Sequence, residues 1–274
     1  MTQPRLPSVV PVVLAALVVV GMGACGANPG DGAAPASTPS PVGRPGPSVD
    51  AAGAPVARPL VERAAWPSAV LADADGSVLY AERLTGSVRR IGPDGVLVAP
   101  PVATVAVRAA EDDQRGLLSI VRDGGGRLLA TWTDAATGRI TVGQIDGTEP
   151  RIIWEGPPSA TLANGGHLAL LPDGGLVIGI GDLLQDRALE RDPAVPNRKV
   201  LRLAVDGPRT QVPTVLSTGW NNPFALTTAA DGAIWVADNT GADGPERIGR
   251  GDRPATEAVE LGGPGAGEVV PSAL

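Results

Sequence analysis

This chain of 274 residues has one imidazole, His167, and one thiol, Cys25, so its options for acid–base and nucleophilic chemistry are few. A single Cys excludes an intramolecular disulfide and a thiolate zinc site, and a single His excludes a His-rich metal centre or any triad needing two imidazoles. Hard oxygen ligands are more plentiful. Asp182, Asp186, Glu190 and Asp192 crowd one segment, and Asp238, Asn239, Asp243 and Glu246 another. Oxygen-rich loops of this kind could hold calcium, although neither has the tight alternate spacing of an EF-hand. A solvated polar loop balanced by Arg187 and Arg191 explains the first cluster equally well. Trp220 precedes Asn221 and Asn222, an aromatic face beside amide donors that would suit a sugar ring or simply fill a core. The pairs Gly165-Gly166 and Gly179/Gly181 are not followed by a helix, so they make no phosphate loop and read as close strand packing.

The elements that must position these residues are signalled by a repeat. Asp-Gly dipeptides occur at Asp75, Asp123, Asp173 and Asp231, spaced by 48, 50 and 58 residues, each between strand-like apolar runs. Asp-Gly between such runs is a strong hairpin signal, because Gly accepts positive φ and Asp caps the turn. The first two units predict strands at Ala69–Ala72, Val78–Ala81, Ser87–Ile91 and Val96–Val98, then at Leu117–Arg122, Arg127–Thr131, Arg139–Gln144 and Arg151–Trp154. Four strands per period of about 40–50 residues indicate propeller blades, and a sandwich would lack this self-similarity. Units fall at about 66–110, 116–160, 165–218 and 222–262. The third is lengthened by Asp182 to Arg198, a rim loop holding one short turn at Arg187–Arg191. An extra strand is expected at Pro59–Ala64, and Trp235, in mid-strand, is expected in the core. Residues 262–274 are too few for another blade, so an all-β propeller of four blades is expected, closed on itself or incomplete.

Composition agrees with this class. With 37 Gly and 28 Pro, turn-formers are nearly a quarter of the chain, which argues against a helical bundle. The formal charge is −7 with no basic cluster, which argues against nucleic-acid binding. The first residues read as an address. Arg5, an apolar run from Val9 to Val20 and then Met22-Gly23-Ala24-Cys25 have the order of a secretory signal over residues 1–24. The ending resembles the lipobox of bacterial lipoproteins, which implies lipidation at Cys25 and attachment to the outer face of the cell membrane. Residues 25–57 are rich in Pro, Ala and Gly and read as a disordered tether, with the propeller domain over 58–274.

Asn164-Gly165-Gly166-His167-Leu168, followed by Leu171-Pro172-Asp173-Gly174-Gly175-Leu176-Val177-Ile178-Gly179-Ile180-Gly181-Asp182, is similar to the HNGGRL…GPDGKLYIGTGD signature of the soluble quinoprotein glucose/sorbosone dehydrogenases. Arg115-Gly116-Leu117-Leu118-Ser119-Ile120 resembles EGGLLGIA, and Arg198-Lys199-Val200-Leu201-Arg202-Leu203 resembles GKILRI. Gly219-Trp220-Asn221-Asn222-Pro223-Phe224-Ala225-Leu226 resembles GHRNPQGL, and Ile234-Trp235-Val236-Ala237-Asp238 with Glu246-Arg247-Ile248 resembles LWVTEHG…DEIN. These motifs are collinear over most of residues 60–260. The resemblance implies a six-bladed propeller that binds pyrroloquinoline quinone and calcium and oxidises aldose C1 by hydride transfer, with a His as general base. Trp220, Asn221 and Asn222 would then face the cofactor, and Asp238, Asn239 and Glu246 the calcium.

Several positions depart from the family pattern. The base position is Ala163, whose methyl group takes no proton, and the cationic quinone clamp is Asn221. Phe224 stands where the family has Gln. His167 lies four residues past the base position, about 13 Å along a strand, and is a weak substitute for it. Three functions are compatible with this pattern. One is a lipid-anchored sugar dehydrogenase of the envelope. Another is a catalytically degenerate propeller that binds a small sugar, an envelope polymer or a protein partner. The third, which the acidic loops alone suggest, is a calcium-dependent lactonase-type propeller.

Overall fold

The repeated turns form as the sequence predicts, with one shift of register. In the first, third and fourth units the glycine of Asp-Gly takes the positive φ, at +82° for each of Gly76, Gly174 and Gly232. In the second unit that position belongs to Gly126, at +85°, because its amide closes the turn onto the Asp123 carbonyl at 2.9 Å. Asp123 therefore occupies the place of Asp73 rather than that of Asp75, whose partner Gly76 donates to the Asp73 carbonyl at 3.0 Å. The computed structural model describes residues 60–240 and 244–261. The expected signal, the tether with Cys25, Asp243 and the stretch 262–274 lie outside the described residues.

Each unit is a four-stranded antiparallel meander. The first comprises β1 (Pro67–Ala72), β2 (Val78–Glu82), β3 (Ser87–Ile91) and β4 (Leu97–Thr104). The second comprises β5 (Leu117–Arg122), β6 (Leu128–Thr133), β7 (Arg139–Gln144) and β8 (Arg151–Pro158). The third comprises β9 (Gly165–Leu170), β10 (Leu176–Ile180), β11 (Lys199–Leu203) and β12 (Thr214–Thr218), and the fourth β13 (Pro223–Thr228), β14 (Ile234–Asp238), β15 (Glu246–Arg250) and β16 (Val259–Leu261). Strands β4 and β8 run well past their expected ends. Pro100, Pro101, Pro157 and Pro158 would interrupt a central strand, but an outer edge strand tolerates residues that donate no ladder hydrogen bond. The expected strand at Pro59–Ala64 is reduced, among the described residues, to a bridge at Val61.

The inner strands β1, β5, β9 and β13 lie side by side in that order, so the sheets stand as successive blades. Among the described residues β1 and β13 make no comparable approach to each other. Apolar residues fill the space between each pair of blades. Leu79 and Val88 meet Leu117, Leu128 and Trp132 between the first and second. Ile140 and Ile153 meet Ile178 and Leu201 between the second and third. Val177 and Val200 meet Trp220 and Val236 between the third and fourth. Burial of each such side chain contributes about 1.5–3 kcal/mol, so the blades are held by faces rather than edges. Trp235, expected in the core, is instead 39% exposed on the other face of β14, under the Arg250 guanidinium. Mid-strand placement fixes alternation but not which face meets a neighbour.

The meander sets two ends. The Asp-Gly turns gather at one. The β10–β11 loop and the connections entering β9 and β13 gather at the other, which is where the sequence places its candidate residues.

Candidate functional site

Backbone strain marks this second end. Among the described residues five non-glycine positions have left-handed φ: Trp66 (+58°), at the entry to β1, and four around the third blade, Ala163 (+55°), Leu183 (+57°), Leu184 (+55°) and Arg198 (+58°). Such a conformation costs an L-residue roughly 1–2 kcal/mol, so surrounding bonds must enforce it. The Leu183 amide donates to the Ala163 carbonyl at 3.1 Å, and the Arg198 amide to the Gly181 carbonyl at 3.0 Å. The Ala163 amide is held by the Gln114 side chain at 2.7 Å. Gly181 must be glycine here, because a Cβ would lie 2.0 Å from the Ala163 carbonyl oxygen.

The loop before β13 is fastened on three sides. Asp238, fully buried, accepts the Asn222 amide at 2.7 Å and the Asn221 amide at 3.1 Å, and pairs with Arg247. Arg247 also donates to the Gly219 carbonyl at 3.1 Å. The Asn222 side-chain oxygen accepts the Gly165 amide at 2.9 Å, which ties the fourth blade to the third. Asp182 donates its amide to the Asn221 carbonyl at 2.7 Å, and its carboxylate accepts from Asn221 Nδ2 at 3.3 Å and Arg198 Nη2 at 3.1 Å. The structure thus brings Ala163, Asp182, Asn221, Asn222 and Asp238 together.

The individual roles differ from the sequence reading in informative ways. Trp220 is fully buried, with its Nε1 donating to Ser217 Oγ at 2.8 Å, so it is core and presents no open face. Asp182, Asp186 and Asp192 each accept an amide two residues on, from Leu184, Ala188 and Ala194, and so act as local turn caps. Glu246 is buried and accepts the Thr240 amide at 3.1 Å. Asn239 is half-buried and donates its amide to the Asn222 carbonyl at 3.0 Å. Among the described residues no group of three or more His, Cys, Asp or Glu side chains is set to hold a metal. The Asp238 carboxylate takes two amides and is paired with the Arg247 guanidinium, whose positive charge would oppose a calcium ion there, so it does not fit one as arranged.

His167 lies in β9, stacked against Phe224 with ring centroids 5.2 Å apart. The ring keeps partial exposure, yet its surroundings are crowded enough that desolvation pushes its pKa down to about 4. It is neutral at physiological pH and a weak base. Lys199, the only lysine of the chain, is buried beside the loop. Desolvation lowers its pKa, opposed by Glu190 and Asp192.

Sequence reasoning did not single out Arg198 and Arg247. Together with Arg187, Asn221, Thr240 and Glu260 they line a cavity of about 90 Å³. A wider groove, of about 610 Å³, lies at the Asp-Gly end between the second and third blades. Its charged walls pair with one another, Arg127 with Asp123 and Asp206, and Arg202 with Asp173. None of the site residues expected from the motifs reaches it, so the smaller cavity is the better candidate site.

Four meander sheets arranged as blades, with Ala163, Asn221, Asn222 and Asp238 gathered at one end, define a β-propeller of the sugar-dehydrogenase type. The sequence model described as glucose/sorbosone dehydrogenase matches residues 63–252, and the chain belongs to that family. None of the curated proteins matches it in sequence. Among solved structures it is similar to a glucose dehydrogenase, with 23% identity, TM-score 0.58 and coverage of 71% of this chain and 70% of the other. It is also similar to the PQQ-bound form of aldose sugar dehydrogenase from Streptomyces coelicolor, with 22% identity, TM-score 0.56 and coverage of 67% and 59%. A third, an oxidoreductase (glucose dehydrogenase) of Thermus thermophilus, gives 26% identity, TM-score 0.55 and coverage of 67% and 61%. The chain therefore spans less than two thirds of the length of the last two.

Proposed function

We propose that this chain is a lipid-anchored, extracytoplasmic member of the family that binds a small sugar or an envelope polysaccharide at the Ala163–Asn222 end without oxidising it. One observation carries the reading. The base position is Ala163, and the only imidazole in the chain stands in β9 with its pKa pushed down to about 4. A general base works best with a pKa near the operating pH, and positioned acid–base groups contribute about 10²–10⁴-fold to rate.

The quinone of the Streptomyces enzyme finds a poor fit here. Asn222 and Trp220, which the resemblance would turn towards it, are buried and bonded to Gly165 and Ser217. The adjoining cavity, about 90 Å³, is smaller than a tricyclic cofactor. The anchor rests on the order of Arg5, the apolar run and Met22-Gly23-Ala24-Cys25.

The test uses the full-length chain in detergent, mixed with pyrroloquinoline quinone and calcium and offered a panel of aldoses with a redox dye. No dye reduction, together with saturable sugar binding by calorimetry, is expected. Turnover of any aldose would overturn the reading in favour of a dehydrogenase. In cells, Cys25→Ala is expected to release the protein from the membrane fraction, and unchanged fractionation would remove the lipid anchor.

A further inference from the structure

The cavity beside Asn221 has a charge pattern that a neutral sugar does not need. Three guanidinium groups reach it from three separate elements. Arg187 opens the short 3-10 turn Arg187–Arg191, Arg198 immediately precedes β11, and Arg247 lies in β15. Among the described residues the carboxylates near by are Asp182 and Asp238, behind Arg198 and Arg247, Glu246, behind Thr240, and Glu260, on the wall and opposite Arg247 in the strand pairing. Asp238 and the Gly219 carbonyl both engage Arg247 through Nη2. The pair aims the guanidinium without filling its fork: Arg247 Nε is buried and has no hydrogen-bond partner among the described residues. Arg187 is exposed and forms no ion pair among them. A buried unpartnered donor beside a polar cavity is costly unless a ligand or water completes it.

From this geometry we infer that the cavity is a binding site for one oxyanion group, carried by a sugar acid or a sugar phosphate. The inference rests on the sugar-binding reading above and narrows its ligand class. The guanidinium is the side chain best matched to a carboxylate or phosphate, through paired N–H donors in a fixed fork. The volume, about 90 Å³, accommodates such a group while the sugar ring remains at the mouth. The position where the family carries its clamping Arg is Asn221, which lines the same cavity. Positive charge absent from that loop is supplied instead by Arg198 and Arg247 on the neighbouring elements.

Calorimetric titration of the full-length chain in detergent at low ionic strength, with glucose, glucuronate, glucose 6-phosphate and inorganic phosphate, tests the site. Glucuronate or glucose 6-phosphate is expected to bind about tenfold or more tighter than glucose, since charge-assisted hydrogen bonds exceed neutral ones by that order. Arg247→Gln and Arg187→Gln should each weaken the acidic ligands without affecting glucose. Arg247 touches buried Asp238 and its loss could unfold the domain, so the exposed Arg187 and Glu260 carry the decisive comparison. Glu260→Gln should tighten acidic ligands several-fold by removing the opposing charge.

Preference for glucuronate alone assigns a carboxylate, and equal preference for both acidic sugars assigns any oxyanion. Inorganic phosphate binding as tightly as glucose 6-phosphate keeps the oxyanion site but removes the sugar from it. Acidic sugars binding no better than glucose, or affinities unmoved by Arg187→Gln and Glu260→Gln, would overturn the inference. Quinone-dependent turnover of neutral aldoses alongside such a failure would sink the proposed function as well. Acid-sugar binding by a chain that also turns over aldoses would sink the proposed function alone.

Discussion

Asp238 and Asn222 are joined by a 2.7 Å bond from the Asn222 amide to a carboxylate that has no solvent exposure. The same carboxylate takes the Asn221 amide and the Arg247 guanidinium, so one buried charge organises the whole turn into β13. Removing it strands two amides and a guanidinium. Breaking a buried pair by deleting one partner typically costs about 3–5 kcal/mol. Asp238→Ala is therefore expected to lower the urea midpoint steeply. Asp238→Asn, which keeps one acceptor but no charge, should be intermediate. A midpoint within error of wild type for Asp238→Ala would refute the anchoring role.

Calcium gives an independent check on the same carboxylate. A ligand that binds only the folded state raises its stability in proportion to the logarithm of its concentration. With Asp238 already occupied by three donors, millimolar calcium is expected to leave the thermal midpoint unchanged. A concentration-dependent rise that disappears in Asp238→Asn would place a cation on Asp238, and Arg247 would have to swing away.

What the sequence discloses here follows from range. The blades are legible because their signals are local: a glycine with positive φ at Gly76, Gly174 and Gly232, flanked by alternating strands. The motif residues Ala163, Asn221 and Asn222 are legible as neighbours through the resemblance, and the structure does bring them together. Their partners are not legible. The Asn222–Gly165 bond spans 57 residues and the Ala163–Gln114 bond 49, and both depend on how separate blades stack. Trp220 sits in a loop, where sequence leaves an open platform and buried core equally available. Its burial is decided by Val177, Val200 and Val236 on two facing sheets. Arg198 and Arg247 escape notice because one looks like ordinary strand flank and the other like an exposed strand cation.

Strain at Ala163 makes a prediction of opposite sign for two small changes. Its φ of +55° suits glycine far better than any residue with a Cβ. Ala163→Gly is expected to stabilise by up to about 1 kcal/mol, less the added freedom of the unfolded chain. Ala163→Val, with a branched Cβ at the same φ, should destabilise by more than that gain. Denaturant midpoints of the two variants, read against wild type, decide the matter: if both fall equally, the local conformation is not the one described.

His167 gives the pH dependence its direction. Its folded pKa is pushed down to about 4 from an ordinary value of 6.5, by desolvation. Between those values the unfolded chain holds a proton that the folded chain refuses, so stability rises with pH across the window. The contribution is fully present above about pH 6.5 and is lost as pH falls towards 4. Two carboxylates held low in spite of burial, Asp113 by Arg115 and Asp134 by hydrogen bonds from Thr137 and Ala136, change stability in the same direction at lower pH. The imidazole is therefore isolated by comparing wild type with His167→Gln, a neutral side chain of similar length. The wild-type curve is expected to fall more steeply than that of the variant between pH 6.5 and 4 and to run parallel to it above. Parallel curves over the whole range would mean that His167 titrates alike in the folded and unfolded chain, and that the ring beside Phe224 is open to water.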